Sequence, residues 1–193
     1  MNAQPLLNYI RKYVSLTEEE EIFLLSKITY RKYLKGQYIV QQGDVCKLEC
    51  FIISGCTKTF YMDDKGQEHI VMFAIEDWWT SDMGSFITQT PADFNVQCLE
   101  NTELIQFTYD VKEELYLKIP KIERFYRKIV ERALAASQKR ITNSFSLTAK
   151  EQYVNFRDLY PKLDQRIPQY MVASYLGITK EFLSKIKSQL ALE

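Results

Sequence analysis

Four cysteines and one histidine are the residues in this chain whose side chains are best suited to bind a metal ion. They are Cys46, Cys50, Cys56, Cys98 and His69. No two of the cysteines have the C-x-x-C spacing, and a single histidine cannot complete a Cys/His zinc set. We therefore predict four reduced, buried thiols and no metal, with the first three thiols in β-strands.

Sequence patterns that mark catalytic sites are missing as well. The chain has no G-x-S-x-G elbow, no glycine-rich phosphate loop and no H-E-x-x-H pair. Its composition is typical of a soluble globular protein, with 46% hydrophobic residues, 26% charged residues and no apolar run of membrane length. Since no export signal is visible either, we expect a cytoplasmic protein that is not an enzyme.

Polar side chains that can donate and accept hydrogen bonds are concentrated near the other end of the chain. Residues 139–193 carry nine Lys and Arg against five Asp and Glu, although the net charge of the whole chain is zero. Helical spacing would place six polar residues there on one outward face. They are Lys180, Glu181, Ser184, Lys185, Lys187 and Ser188. Such side chains suit base edges and phosphates, so we predict contact with DNA, with a merely solvated face as the alternative.

The elements that must position this face are predicted from "QYMVASYLGITKEFLSKIKSQL", residues 169–190. Pro168 suits a helix start, Gly177 suits a left-handed turn, and Thr179 suits the cap of a second helix. Apolar residues at the inward positions would pack the two helices together: Val172, Leu176, Ile178, Phe182, Leu183 and Ile186. This is the spacing of a helix-turn-helix. The predicted DNA-binding residues are Gln169, Thr179, Lys180, Glu181, Ser184, Lys185 and Lys187.

The body of the chain, from about residue 27 to residue 108, alternates short apolar or aromatic runs with turn residues. Gly36, Gly43, Gly55 and the segment "DDKG" at 63–66 interrupt these runs every eight to twelve positions. This pattern predicts an antiparallel sandwich or barrel, and "DDKG" predicts a hairpin turn in which Gly66 takes positive φ.

A long helix is predicted after Pro120, which suits a first helical turn. Two apolar stripes have helical spacing. The first contains Ile122, Phe125, Ile129, Ala133 and Ala136, and the second contains Tyr126, Val130, Leu134, Ile141 and Phe145. A helix with two apolar faces needs cover on both, so we predict that one face packs on the β body and the other on a second copy of the chain. Burial of both faces within one chain is the alternative.

Two further segments complete the prediction for the helices. Thr17 and Glu20, and again Thr148 and Glu151, have the spacing of a capping box and predict helix starts. The segment "KLDQRI" at 162–167 is interpreted as a linker, and a domain boundary is placed near residue 143.

These motifs, in this order, resemble the Crp/Fnr family of bacterial transcription regulators. The segment "KGQYIVQQGDVCKLECFIISGCTKTFYMDDKGQEHIVMFAIEDWW" is similar to its β-roll, and "RIPQYMVASYLGITKEFLSKIKSQL" is similar to its reading head. The resemblance implies an α+β protein with an N-terminal antiparallel β-roll of the jelly-roll, cyclic-nucleotide-binding type, followed by a long dimerisation helix and a C-terminal helix-turn-helix of winged-helix type. The implied domains are 1–120, 121–142 and 143–193.

The resemblance also implies partners and base contacts. The partners are double-stranded DNA, a second copy of the chain and RNA polymerase, with no membrane. The residues at the family's base-contacting positions are Lys180, Glu181 and Lys185. For the dimer helix, the candidate residues are those of the first stripe, but which face of the helix contacts the second copy is left open. The alternative function is a small-ligand-binding β-roll whose DNA-binding head is degenerate.

One departure from the family concerns the ligand of the β-roll. Cyclic-nucleotide binders have a Gly-Glu pair for the ribose and an Arg for the phosphate, but here Ser81 stands near the Glu position and Ala92 or Asp93 near the Arg position. No Lys or Arg occurs in residues 66–111, so nothing local neutralises a phosphate. We predict that cyclic AMP does not bind, and that the pocket either holds an unknown small ligand or is filled by side chains. Its candidate lining residues are Trp78, Trp79, Thr80, Ser81, Asp82, Phe86 and Phe94.

A second departure concerns the wing that usually follows the recognition helix. The sequence stops at Glu193, so we expect a reduced or absent wing, with phosphate contacts from Lys150, Arg157, Arg166 and Lys187 instead. The cysteines lie outside the N-terminal segment where iron-sulfur members carry theirs, so we expect no such cluster.

Overall fold

The structure is a computed structural model that describes residues 2–161 and 163–192. Its helices are α1 (Gln4–Arg11), α2 (Glu18–Lys27), α3 (Met83–Thr88), α4 (Tyr109–Lys118), α5 (Pro120–Ser146), α6 (Ala149–Leu159), α7 (Leu163–Arg166), α8 (Gln169–Leu176) and α9 (Lys180–Leu190). Its strands are β1 (Thr29–Tyr33), β2 (Tyr38–Val40), β3 (Leu48–Ser54), β4 (Thr57–Met62), β5 (Glu68–Ala74), β6 (Trp79–Thr80), β7 (Asn95–Cys98) and β8 (Thr102–Thr108).

The eight strands form two antiparallel sheets of four strands each. One sheet has the order β1-β8-β3-β6 and the other the order β2-β7-β4-β5. Apolar side chains from both sheets, among them Ile52 and Leu104 of the first and Ala74 of the second, form one buried cluster between them. The predicted antiparallel β-roll is therefore confirmed.

The hairpin between β4 and β5 turns at the predicted "DDKG" segment. Gly66 has a φ of 77°, a conformation that favours glycine. The Asp63 carboxylate accepts hydrogen bonds of 2.9 Å from the backbone N–H groups of Lys65 and Gln67, so it fixes the turn from inside.

The cysteines are free thiols and all four are buried, as predicted. Cys50 lies in β3 and Cys98 in β7, but Cys46 and Cys56 lie just outside strands, so the prediction that both are strand residues was wrong. Burial raises the pKa of Cys56 to about 12 and that of Cys98 to about 11, which keeps these thiols protonated and unreactive near neutral pH.

The outer face of the first sheet is covered by α1, α2, α4 and the first turns of α5. Phe51 and Phe107 of the sheet share a buried cluster with Ile122 and Phe125 of α5. Pro120 occupies the first turn of α5 as predicted, and the helix extends to Ser146, four residues past the predicted end at 142. The first apolar stripe therefore begins as an internal contact rather than as a free face.

The outer face of the second sheet is covered by the C-terminal helices. Phe60 and Phe73 of the sheet share one buried cluster with α6, α8 and α9. The predicted capping boxes at the starts of α2 and α6 are both present. The predicted linker contains the helix α7, because Leu163 is buried in this cluster and its carbonyl accepts from Ile167 N; Lys162, the first residue of that linker, lies outside the described residues.

None of the described helices combines the length and the apolar character needed to cross a membrane.

Candidate nucleic-acid interface

The helix pair α8–α9 has the turn that its sequence predicts. Gly177 ends α8 with a φ of 68°, in the left-handed conformation that non-glycine residues rarely adopt. The Thr179 hydroxyl then accepts a 3.2 Å hydrogen bond from Phe182 N, which caps α9. The left-handed turn at Gly177 and the cap at Thr179 therefore set the angle between the two helices.

A buried apolar contact holds α9 in place. Val172 and Ala173 of α8 and Leu183 and Ile186 of α9 all belong to the cluster that also contains Phe73 of the second sheet. Because the inward face of α9 is fixed in this way, its opposite face is directed away from the body of the protein.

The outward face of α9 carries most of the predicted DNA-binding residues. Thr179, Lys180, Glu181, Ser184 and Lys185 are all exposed. No ion pair in residues 2–161 and 163–192 engages the charged groups among them. The face therefore presents hydrogen-bond donors and acceptors to solvent.

The other two predicted DNA-binding residues lie apart from this face. Gln169 is exposed at the first position of α8, and Lys187 is half-buried with its Nζ 3.8 Å from a carboxylate oxygen of Asp164. Arg166, expected to contact phosphate, instead donates hydrogen bonds to Glu76 and Glu100 of the β-roll. Its guanidinium is therefore engaged in a salt bridge within the chain.

One residue of α9 differs from its prediction in a way that matters for binding. The sequence pattern placed Phe182 among the inward positions, but its side chain is 49% exposed, so that prediction was wrong. The physical reason is that α9 packs on one side only, through Leu183 and Ile186, and Phe182 lies at the margin of this contact.

The helix pair is also tied to the edge strand of the second sheet by polar contacts. Ser174 Oγ donates to Glu68 O at 2.9 Å and accepts from Ile70 N at 3.2 Å, so it satisfies part of the open edge of β5. Tyr160 Oη donates to Phe73 O at 3.1 Å, and its burial raises the pKa of this phenol far above the usual value. Apolar and polar contacts together orient α9 relative to the β-roll.

The predicted ligand-pocket residues do not form one pocket. Trp78 packs on Tyr160, with ring centroids 5.3 Å apart, whereas Trp79 packs on Phe51 and Phe107 on the opposite side of the first sheet. Phe86 belongs to a third buried cluster. Thr80 is buried with its hydroxyl bonded to the Thr57 hydroxyl, and Ser81 and Phe94 are half-buried.

Asp82 has a definite structural role within this set. Its side chain is 4% exposed. One carboxylate oxygen accepts from Ser85 N at 3.0 Å and the other accepts from Asp93 N at 2.9 Å and Phe94 N at 3.0 Å. The carboxylate therefore occupies three convergent backbone donors between α3 and β7.

Lys112, the cation that contacts Phe86 of this set, is also engaged. Lys112 of α4 lies with its Nζ 5.2 Å from the Phe86 ring centroid and 2.6 Å from a carboxylate oxygen of Glu49. Both side chains are almost fully buried, and burial raises the pKa of Glu49. Sequence reasoning missed this pair, because no local pattern joins β3 to α4.

Two open clefts of about 420 and 390 Å³ lie elsewhere, between β5 and α8 and between the loop after α1 and the start of α5. None of the predicted ligand-pocket residues lines either cleft.

The second half of α5 carries an exposed apolar stripe. Ile122 and Phe125 are buried and Ile129 is half-buried against the β-roll, while Ala133 and Ala136 are exposed. In contrast, the second stripe is exposed over its whole later length. Its exposed members are Val130, Leu134, Ile141 and Phe145. The first stripe is thus an internal contact at its start, and the second stripe is the larger free apolar surface.

Comparison with known proteins gives a consistent result. Residues 30–118 match the model of the cyclic nucleotide-binding domain. The transcriptional activator protein Anr of Pseudomonas protegens is 24% identical over 167 residues, which cover 81% of this chain and 68% of that protein. The fumarate and nitrate reduction regulatory protein of Vibrio cholerae is 25% identical over 183 residues, covering 87% and 72%.

Solved structures show the same fold. The regulator CLP of Xanthomonas campestris superposes with a TM-score of 0.72 at 15% identity, covering 91% of this chain and 92% of that one. FixK2 of Bradyrhizobium japonicum superposes with a TM-score of 0.75 at 14% identity, covering 86% and 85%. With a β-roll, a long central helix and a terminal helix-turn-helix in this order, the chain is similar over most of its length to regulators of the Crp/Fnr type.

Proposed function

We propose that this chain is a transcription regulator that binds double-stranded DNA through the exposed face of α9. The observation that carries the proposal is the position of this face, held outward by the buried contacts of Leu183 and Ile186 with the rest of the protein. A helix that projects in this way fits the DNA major groove, where side chains near its N-terminus reach base edges. The relatives named as transcriptional activators support the same function.

Individual roles follow from the chemistry of the exposed groups. Glu181 accepts a hydrogen bond from the amino group of cytosine, and Lys185 donates to O6 and N7 of guanine. Lys180, at the N-terminus of α9, is the third base-contacting residue, and Gln169, at the N-terminus of α8, contacts a phosphate. Since Arg166 and Lys187 already have carboxylate partners, they contribute less to phosphate binding than the sequence alone suggested.

The regulator acts as a homodimer in this proposal. The exposed stripe that includes Val130 and Leu134 is the surface on which a second copy packs, because four apolar side chains in one helical row are costly to leave in water. Two copies related by two-fold symmetry would read half-sites about one helical turn, roughly 34 Å, apart. RNA polymerase is the further partner, and the cytoplasm is the compartment in which such a protein works.

The β-roll does not take cyclic AMP in this proposal. A cyclic phosphate needs donors and a cation, but residues 66–111 contain no Lys or Arg. Asp82 fills the backbone donors before β7, and its own charge opposes an incoming phosphate. Lys112, whose Nζ lies 5.2 Å from the Phe86 ring centroid, is paired with Glu49. Selection of bound DNA with and without a metabolite extract tests whether the roll responds to another small effector.

The test is selection of bound duplexes from a random pool, repeated with and without a metabolite extract. We expect a two-fold symmetric sequence to be enriched, and Glu181→Ala and Lys185→Ala each to cost about 1 to 3 kcal/mol on that sequence and to relax base preference at one position. Glu113→Ala and Lys118→Ala are matched controls, because both residues are exposed on α4, far in sequence from α9. If Glu181→Ala and Lys185→Ala lost as much affinity for random DNA as for the selected sequence, α9 would contact only phosphates.

A further inference from the structure

Phe182 is a large apolar side chain that the fold of this chain does not use. It lies in the first turn of α9 and is 49% exposed. Within residues 2–161 and 163–192, its ring takes part in no aromatic pair and in no buried apolar cluster. Its backbone N–H donates to Thr179 Oγ1, and the ring has no hydrogen-bonding group of its own. The ring is therefore available for an external contact.

Three other aromatic residues of the C-terminal helices belong to the core, whereas Tyr170 of α8 is exposed like Phe182. Tyr153, Phe156 and Tyr160 are buried, and they contact one another and the second sheet. Phe182 is thus exposed at the margin of that cluster. Because burying an exposed aromatic ring is worth on the order of 1.5 to 3 kcal/mol, a partner that covered Phe182 would gain from the contact.

The neighbours of Phe182 indicate what that partner is. Lys185, one turn after Phe182, is its neighbour on the surface of α9 and is exposed, whereas Lys180, two residues before it, lies on the other side of the helix. A partner that brings a negative charge to Lys185 and an apolar group to Phe182 complements this surface, and the exposed Glu181 beside them calls for a hydrogen-bond donor as well. Duplex DNA meets these conditions, and in its major groove the apolar group is the 5-methyl of thymine.

We propose that Phe182 reads thymine by packing against its 5-methyl group. This inference rests on the proposed function, and it adds a base preference that hydrogen bonding by Glu181 and Lys185 does not supply. Phe182 and Lys185 are three residues apart, which is about 4.5 Å along the helix axis. Since base pairs are stacked about 3.4 Å apart, the thymine lies one or two base pairs from the guanine bound by Lys185.

The experiment combines a change in the protein with a change in the DNA. Starting from the selected duplex, each thymine of one half-site is replaced in turn by deoxyuridine, which removes only the methyl group. Affinity is then measured for the wild-type protein, Phe182→Ala and Phe182→Leu. Leu159→Ala is the matched control, because Leu159 is an exposed apolar residue of the same domain that lies outside α9.

We expect one position at which uridine weakens wild-type binding about fourfold, the value of one buried methyl group. At that position the loss disappears in Phe182→Ala and persists in Phe182→Leu and in the control. The proposal is overturned when uridine costs the same in wild type and in Phe182→Ala at every position. A selection that enriches no sequence overturns the proposed function itself, which is a distinct result.

The free proteins provide a second readout. Because the ring is half-exposed and outside the core, Phe182→Ala should unfold at nearly the same temperature as wild type. A marked loss of thermal stability, or a changed sedimentation coefficient, would show that the ring packs on another part of the protein or on a second copy, and would overturn the assignment to thymine.

Discussion

Arg166 and Glu76 form a two-pronged salt bridge between the C-terminal helices and the β-roll. Two guanidinium nitrogens of Arg166 donate to the two carboxylate oxygens of Glu76 at 3.0 and 3.1 Å. Glu76 also accepts from Gly55 N at 3.0 Å, and Arg166 also contacts Glu100. This cluster lies beside the apolar contact of the same two parts, so it restricts how the reading helix α9 is oriented relative to the roll.

Substitution of Arg166 by Ala should therefore loosen the C-terminal helices more than it destabilises the whole protein. Both partners are partly exposed, so we expect a loss of roughly 1 kcal/mol or less in the free energy of unfolding. The amides of α8 should nevertheless exchange with solvent measurably faster, since this salt bridge is one of the contacts that must break when the C-terminal helices open. Arg166→Lys should show an intermediate effect because lysine cannot bind both oxygens in the same plane. Unchanged exchange in α8 would show that the apolar cluster alone fixes the helices.

The same salt bridge gives a pH dependence with a definite sign. Burial alone would raise the pKa of Glu76, but hydrogen bonds from Arg166 and the backbone outweigh it and hold this pKa below its ordinary value. Its stabilisation is therefore complete above the unfolded pKa of about 4.3 and is lost as the pH falls through the lower folded value. Glu76→Gln should be less stable than wild type at neutral pH, and the gap should shrink below about pH 4. Urea unfolding across this range measures it, with Asp158→Asn, an exposed carboxylate of α6, as the control.

The features of the fold that were predictable from the sequence are those that depend on residues close together in the chain. The capping boxes of Thr17 and Thr148 place a side-chain oxygen within three residues of the donor that it satisfies. The turn at Gly177 depends on the φ of one residue. Strand and helix periodicity likewise act over one or two turns, which is why the order of the β body, the long helix and the terminal helix pair was predicted correctly, whereas the shorter helices α1, α3, α4 and α7 were not predicted.

The features that were not predictable depend on which surface each side chain meets. Trp78 and Trp79 are neighbours in sequence, yet they pack in separate clusters, because Trp78 ends the turn before β6 and Trp79 begins this strand. A two-residue strand gives no pattern that reveals its register. Arg166 was expected at phosphate because its partner Glu76 is 90 residues away. Phe182 was expected inside because helical spacing does not tell how wide the buried face of α9 is.

The exposed stripe of α5 leads to a prediction about assembly. Leu134 is 60% exposed within this stripe, so Leu134→Asp should give monomers in sedimentation while leaving the unfolding temperature of the monomer nearly unchanged. Ile129→Asp should instead destabilise the fold, because Ile129 packs against the β-roll. Ala135→Asp adds the same charge about a third of a turn from the stripe, on an exposed position, and should remain dimeric. A dimer that survives Leu134→Asp would place the contact between copies on another surface.

The three hydrogen bonds to Asp82 predict a large effect on stability. Asp82→Ala removes the cap of α3 and leaves the N–H groups of Asp93 and Phe94 without their acceptor in a buried site. We expect a loss of about 2 to 4 kcal/mol in the free energy of unfolding, measured with urea. Asp93→Ala is the matched control, since Asp93 contributes only its backbone to this contact and its side chain is exposed, and it should change stability by about 0.5 kcal/mol or less. Similar losses for both variants would mean that the net negative charge of the loop, rather than the hydrogen bonds, is what matters.

The buried pair of Glu49 and Lys112 allows the contribution of the buried charges to the free energy of unfolding to be separated from the contribution of side-chain packing. In the wild-type protein, Lys112 Nζ lies 4.1 Å from the centroid of the Tyr126 ring. Lys112→Met keeps an apolar stem over this ring but leaves Glu49 charged, 2% exposed and without its cation. We expect a loss of about 3 to 5 kcal/mol, since an unpaired buried carboxylate bears its full desolvation cost. Because burial already raises the pKa of Glu49, the loss should decrease as the pH is lowered and this carboxyl takes up a proton.

The double variant Glu49→Leu with Lys112→Met provides the control for that cycle. With both charges gone, no group in the site requires a counterion, so we expect stability to return to within about 1 to 2 kcal/mol of wild type and to lose the pH dependence of the single variant. If the double variant were as unstable as Lys112→Met, the pair would stabilise the fold through its hydrogen bonds and side-chain packing rather than through the pairing of its charges. If the double variant were more stable than wild type, the ion pair would be retained at a cost to stability, which favours a role in fixing the position of α4 and α5 against the β-roll.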